Sequence, residues 1–363
     1  MKDRRQFLQD SALFGLAFSA FALANPLFAN YTKTFTMPKR KLGNLEVSAL
    51  GFGLMGLNYH RSIKLSETQA QKIVDKAVEL GINFFDTAQV YGPDSNEILA
   101  GKILKKYKDK IIIATKFGFG KDISVLDSSP KRIKEVCEQS LKRLNLETIP
   151  LFYQHRSDPN TPIEEVASVI KDLMKEGKVQ NFGVCELNAQ SIKEAHKICP
   201  ITAVQSEYHL MWRDVEREIL PTLESLNIGF VAYSPLNRGY LSGKLNKNTE
   251  FDPSNDNRTI LPRFTKEALE ANYKIIDTIN IFRKEELNNK ATPAQIALAY
   301  LLAKKPYIVP LFGTSKLEHL SENVETLTFS LSKTQVESLE SRLEKIEIMG
   351  TRYPKSEQDR VGK

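Results

Sequence analysis

Cysteine is scarce in this chain: 363 residues hold three, Cys137, Cys185 and Cys199. An odd number with no C-x-x-C spacing speaks against both a disulfide framework and a zinc site. Each then reads as a small apolar packing residue. Blocks of one charge sign are missing too. The net charge is +7, yet the 51 Lys and Arg are interleaved with 44 Asp and Glu, as in KRIKEVCEQSLKRL and KTQVESLESRLEK. Such interleaving marks solvated helix faces, so no nucleic-acid partner is expected. Beyond residue 30, no stretch is apolar enough to span a bilayer.

The first thirty residues differ from the rest. A polar start, MKDRRQFLQD, precedes the uncharged run SALFGLAFSAFALANPLFA. Ala22-Leu23-Ala24 offers a small-x-small cleavage site, with Ala29 a second candidate. Arg4-Arg5 followed by Phe7-Leu8 resembles the twin-arginine export pattern. The expectation is an export signal over 1–30, cleaved after passage through the twin-arginine machinery. It leaves no stable membrane insertion and an exported, periplasmic protein. Residues 31–363 then form a single domain.

From residue 37 onward, apolar β-branched runs alternate with amphipathic runs of helical spacing. VSALGFG (47–53), NFFDTA (83–88), KIIIATKFG (110–118), IPLFYQHR (149–156), VQNFGVCE (179–186), ITAVQSEY (201–208), IGFVAYSP (228–235) and YIVPLFG (307–313) are each followed by a helical pattern. Eight β-then-α units without a long linker predict a closed (β/α)8 TIM barrel rather than an open doubly wound sheet. Residues 38–46 read as an N-terminal hairpin turning at Gly43-Asn44 and plugging the barrel bottom. An extra C-terminal helix is expected over 333–346, followed by a mobile tail, YPKSEQDRVGK. The segment 236–265 is too long for a plain loop, which is a mark of function.

Gly51-Phe-Gly53-Leu-Met-Gly56 fits G-x-G-x-x-G, with Asp75 where a ribose-binding acid could stand. In the dinucleotide fold the third glycine opens a helix, whereas LNYHRSIKLS intervenes here. The motif reads better as a barrel strand whose glycines admit a close neighbour.

Barrel chemistry sits at the C-terminal ends of the strands. There the sequence places Asp86 and Tyr91 after the second strand, Lys116 in the third and His155 after the fourth. Taken singly, each has a bland reading as a turn cap, a packed ring, a solvated strand end or a core histidine. Four titratable groups aimed at one face of successive strands make a constellation. It suits acid catalysis by a phenol, with the Lys116 ammonium expected to lower the Tyr91 pKa. Asp86 would hold Lys116 charged, and His155 would hydrogen-bond a substrate oxygen. No metal cluster is visible, so these donors must do the polarising.

The runs FFDTAQVYG, IATKFG and LFYQHRSD resemble the Asp–Tyr–Lys–His motifs of the aldo-keto reductase family. PIEEVASVIKDLMKEGKVQNFGV, AVQSEYHL, GFVAYSPLNRGYLSGK and VPLFGTSKLEHLSEN continue the likeness in order over about 38–345. It is nearest in pattern to bacterial and plant aryl-alcohol or general aldehyde reductases. The resemblance implies an eight-stranded barrel and reduction of aldehydes or ketones with NADP(H), NAD(H) remaining open. Asp86, Tyr91, Lys116 and His155 would be catalytic. Leu54 and Met55 would lie against the cofactor, Gln205 would hold the nicotinamide carboxamide and Tyr233 would stack on its ring. Ser234, Leu236 and Lys244 would embrace the pyrophosphate, with Gly313 and Ser315 in a phosphate-contacting turn before the last barrel helix. Glu322 and Asn323 would meet the adenine. Two positions depart from the pattern. Cys185-Glu186 stands where many members carry Ser-Asn or Ser-Glu, and His319 where strongly NADPH-preferring members carry Arg, with Lys316 nearby.

Two other functions would use part of this set. Potassium-channel β subunits resemble the same family and keep the tetrad as a sensor. A Schiff-base lyase could use Lys116 but would need neither Tyr91 nor the nucleotide motif.

Overall fold

Hydrophobic alternation gives way to an eightfold strand–helix rhythm after a short antiparallel start, and the backbone follows it. The computed structural model describes residues 36–61 and 63–362. The expected export segment, 1–30, lies outside them. Pro38–Lys363 form one compact unit. It opens with β1 (Lys39–Leu42) and β2 (Leu45–Ser48), paired antiparallel across Gly43-Asn44 as the sequence predicts.

Eight parallel strands then close a barrel: β3 (Gly51–Gly53), β4 (Phe84–Asp86), β5 (Ile112–Phe117), β6 (Leu151–Gln154), β7 (Phe182–Cys185), β8 (Ile201–Glu207), β9 (Gly229–Tyr233) and β10 (Ile308–Phe312), with β10 returning to pair with β3. The helices between them are α1 (Glu67–Glu79), α2 (Ser95–Ile103), α3 (Pro130–Leu144), α4 (Ile163–Lys175), α5 (Ala189–Ile198) and α6 (Ile219–Leu226). After β9 come α7 (Lys266–Ala271), α8 (Tyr273–Leu287) and α9 (Pro293–Lys304); α10 (Leu317–Glu325) and α11 (Lys333–Leu343) follow β10. Strand side chains fill the interior, where Phe84, Ala114, Leu151, Tyr153, Ala203, Val231 and Val309 form one apolar cluster. Leu42 and Val47 of the hairpin join that cluster, so the hairpin seals one end and leaves the other for chemistry.

Local chemistry sets the boundaries. Ser66, Thr292 and Ser332 each close a capping box at a helix start. The predicted strand 47–53 is divided, because the Ser48 hydroxyl turns to the Leu50 carbonyl at 2.7 Å and breaks the extended run before β3. Gly51 sits in β3 where a Cβ would lie 2.7 Å from the Phe84 ring, so it serves barrel packing. Asp75, the other half of the dinucleotide-like motif, pairs with Lys106 on the helix surface. The motif is therefore part of a barrel strand, as its sequence context favoured, and not a dinucleotide fold.

The C-terminal tail corrects the sequence-based expectation. It is packed: Arg352, Tyr353 and Val361 are buried, and α12 (Lys355–Gln358) forms within it. The Gly362 amide donates to the Glu186 carbonyl at 2.7 Å, and Arg360 donates to the Ser124 carbonyl at 2.7 Å. This segment therefore lies against the loops that follow β5 and β7.

Candidate active site

Asp86 ends β4, and Lys116 lies near the end of the neighbouring β5, so parallel pairing carries both to the open end of the barrel. Their side chains form an ion pair that is closed to solvent. Lys116 also donates to the Thr87 carbonyl at 2.9 Å, and the second Asp86 oxygen accepts from Gln205 at 2.9 Å. Burial works against the Lys116 charge, but Asp86 and Tyr91 prevail and raise its pKa above the ordinary lysine value. The ammonium is thus fixed and permanent.

Tyr91 lies on the loop after β4. The Lys116 nitrogen stands 5.1 Å from its ring centre, and its ring meets the His155 ring edge-on at 5.6 Å. All four expected catalytic groups therefore come together. Lys116 acts on Tyr91 in the expected direction but is outweighed. The Tyr91 pKa is raised, because burial penalises phenolate more than Lys116 favours it. The free site consequently holds a protonated phenol, the form a proton donor requires. Burial, with Arg156 and Lys116 close by, pushes the His155 pKa well below its usual value, so the imidazole is neutral. A neutral imidazole can still donate an N–H. Phe119 sets a second ring edge-on to His155 at 5.4 Å.

The residues expected to hold a cofactor lie at the ends of β3, β8, β9 and β10. Leu54 is buried, with its amide on the Asp86 carbonyl at 2.8 Å, and Met55 begins a short turn at the rim. Tyr233 ends β9, followed by Ser234 at φ +51° and a tight turn through Leu236. Gly313 and Ser315 form the turn between β10 and α10. A Cβ at 313 would stand 2.9 Å from the Gly53 carbonyl oxygen, so only glycine lets the two turns approach. Lys244 reaches His319 Nε2 at 3.1 Å and Glu322 at 3.9 Å, while Asn323 is buried at the same end. A nicotinamide dinucleotide needs an aromatic platform, a helix start for phosphate and cations beyond it. Tyr233, the Gly313–Lys316 turn and the cluster of Lys244, Lys316 and His319 fit that need.

Glu186 departs from what the resemblance implies. Its carboxylate is gripped by Arg352 through both terminal nitrogens and accepts the Glu207 amide at 2.9 Å. It is therefore committed within the protein. Arg352 also donates to Glu207 at 2.8 Å and to the Tyr233 hydroxyl at 2.7 Å, and Arg263 pairs with Glu207 at 2.6 Å. These charges hold Glu186 and Glu207 below the ordinary carboxylate range despite burial. Cys185, beside them, has its thiol pushed up to about 12 by burial and is unreactive. Sequence reasoning missed Arg352, Tyr353 and Arg156. For Arg156 a signal existed, since it follows His155 directly at a strand end.

The fold and the tetrad define a barrel oxidoreductase, and comparison with known proteins agrees. Residues 49–344 match the model of the aldo/keto reductase family. The chain is 42% identical over 319 residues to a Glycine max protein described as probable aldo-keto reductase 1, covering 86% of this chain and 91% of that one. Its structure is similar to glycerol dehydrogenase of Gluconobacter oxydans (TM-score 0.76, 28% identity, 85% of this chain and 95% of that chain). It is also similar to the holo form of an aldo-keto reductase of Bacillus halodurans (TM-score 0.69, 27% identity, 87% and 99% covered). This protein belongs to the aldo/keto reductase family, in which carbonyl reduction with a nicotinamide cofactor is the general reaction.

Proposed function

We propose that the protein reduces aldehydes or ketones with NADP(H), and runs the reverse oxidation, using Tyr91 as the proton donor. The observation that carries this reading is the sealed Asp86–Lys116 pair with its ammonium 5.1 Å from the Tyr91 ring. A nicotinamide held by Gln205 and Tyr233 would supply hydride for the carbonyl carbon. The Tyr91 hydroxyl gives its proton to the carbonyl oxygen. Lys116 stabilises the phenolate as the O–H bond breaks, which offsets the burial that otherwise disfavours it. Asp86 and the Thr87 carbonyl hold Lys116 charged and in place. Neutral His155 offers an N–H to the same oxygen, and donors of this kind contribute about 3–4 kcal/mol to such steps. Lys244 and Lys316, with His319 able to take up a proton beside a phosphate, support the choice of NADP(H), because they offer a cationic end for a 2′-phosphate.

Purified protein mixed with NADPH and a panel of aldehydes, ketones and quinones tests the reading through loss of reduced-nicotinamide absorbance. Tight NADPH binding without turnover of any of them would refute the enzymatic role.

A further inference from the structure

Arg156 is a guanidinium at the reaction centre that the reduction does not use. It follows His155 at the open end of β6, and its Nη1 donates to the His155 carbonyl at 2.7 Å. Among the described residues it forms no salt bridge. The acid nearest in its surroundings, Glu186, is already gripped by Arg352, and the other groups facing Arg156 are Tyr233, Tyr353 and Cys185. The local charges do not cancel. Glu186 and Glu207 carry two negative charges against four positive ones on Arg352, Arg263, Arg156 and Arg238. Arg352 and Arg263 are spent on the two carboxylates, which leaves Arg156 and Arg238 without a carboxylate partner among the described residues.

The topology says which ligand that charge faces. In the closed barrel β6 lies four strands from β10, diametrically across from the Gly313–Lys316 turn and the phosphate end of the cofactor region. Arg238, a further cation here, belongs instead to the turn after β9 on the cofactor side. Arg156 bonds to His155 and its charge acts on both His155 and Tyr91, the pair between which the reacting carbonyl would sit. A planar guanidinium with free donors matches a carboxylate bidentately.

We propose that the substrate carries a carboxylate as well as its carbonyl, and that Arg156 binds that carboxylate and so fixes the carbonyl between Tyr91 and His155. This rests on the reductase reading of the same site.

The test compares para-carboxybenzaldehyde with para-tolualdehyde as substrates, and benzoate with benzamide as calorimetric ligands of the protein saturated with NADP+. The wild type should favour the acid of each pair by about ten- to a hundredfold, as expected for a charge-assisted hydrogen bond. Added salt should narrow the preference. Arg156→Met should erase it in both measurements, an effect that a purely structural role for Arg156 would not produce. A wild type indifferent to the carboxylate, or an Arg156→Met protein that keeps the preference, would overturn the proposal. If neither aldehyde is reduced, the reductase reading is judged on the wider carbonyl panel, and the benzoate–benzamide comparison decides the charge subsite by itself. If Arg156→Met does not fold, the wild-type comparison and its salt dependence decide.

Discussion

The hydroxyls of Tyr233 and Tyr353 meet at 2.8 Å, tying the end of β9 to a residue 120 positions later. Arg352 reinforces the tie from the other side, donating to the same Tyr233 oxygen at 2.7 Å. The Tyr233 ring, the platform proposed for a cofactor, is thus oriented by the C-terminal segment as well as by the barrel. Arg238 adds a third strand to this knot through the Tyr353 hydroxyl at 3.3 Å.

Tyr91→Phe removes the acid and keeps the ring and its packing. The expected loss in kcat is about 10²- to 10⁴-fold, with NADPH binding retained. Steady-state rates and cofactor fluorescence titration check both halves, and near-normal turnover would remove Tyr91 from the reaction.

Lys116→Met should cost more than catalysis, because it strands the buried Asp86 carboxylate with Gln205 as its remaining partner. Breaking a buried pair from one side costs about 3–5 kcal/mol. The variant should melt at a distinctly lower temperature, whereas Tyr91→Phe should melt near the wild type. Equal melting of the two variants would show that the pair carries no stability.

Arg352→Met should destabilise most at neutral pH. Glu186 and Glu207 have depressed pKa values in the folded protein, so their contribution is complete above the ordinary glutamate pKa of about 4.3 and is lost as pH falls through the depressed values. Without Arg352, buried Glu186 must carry an uncompensated charge or take up a proton. The melting-temperature gap between wild type and variant should therefore shrink on acidification. A gap that stays constant with pH would mean that Arg352 acts by packing alone.

His319 offers a readout of cofactor preference. Burial, then the Lys244 and Lys316 charges, lower its pKa, so the free protein carries it neutral at pH 7. A 2′-phosphate favours the imidazolium. NADPH binding should therefore weaken as pH rises through the histidine range, while NADH binding stays flat. His319→Arg should tighten NADPH by about tenfold and flatten its pH response, since guanidinium stays charged. Titration of both cofactors at two pH values checks this, and an equal effect on NADH would take His319 out of the phosphate site.

The barrel and tetrad were legible because polar residues at the ends of otherwise apolar strands stand out. Asp86 after Phe84-Phe85, Lys116 after Ile111-Ile112-Ile113 and His155 after Leu151-Phe152-Tyr153 all break an apolar run where burial would be costly without a partner. Burial depth was not legible, and it reverses the expected direction at Tyr91. Arg352, Tyr353 and Val361 escaped notice because they are isolated in a polar run without periodicity. Their burial depends on Glu186, Glu207 and Tyr233, which are remote in sequence. The break between β2 and β3 was hidden for a similar reason, since one serine hydroxyl turning back on Leu50 is invisible to hydrophobic pattern.

The C-terminal segment also bears on the order in which the molecule is made. Glu186 and Glu207 leave the ribosome 166 and 145 residues ahead of the arginine that neutralises them. Until Arg352 emerges, Glu207 has Arg263 and His209 as side-chain partners, and Glu186 lacks the guanidinium that grips it in the finished fold. Closure of the strands alone therefore leaves the Glu186 carboxylate without Arg352, and that pair is completed by the segment that follows α11.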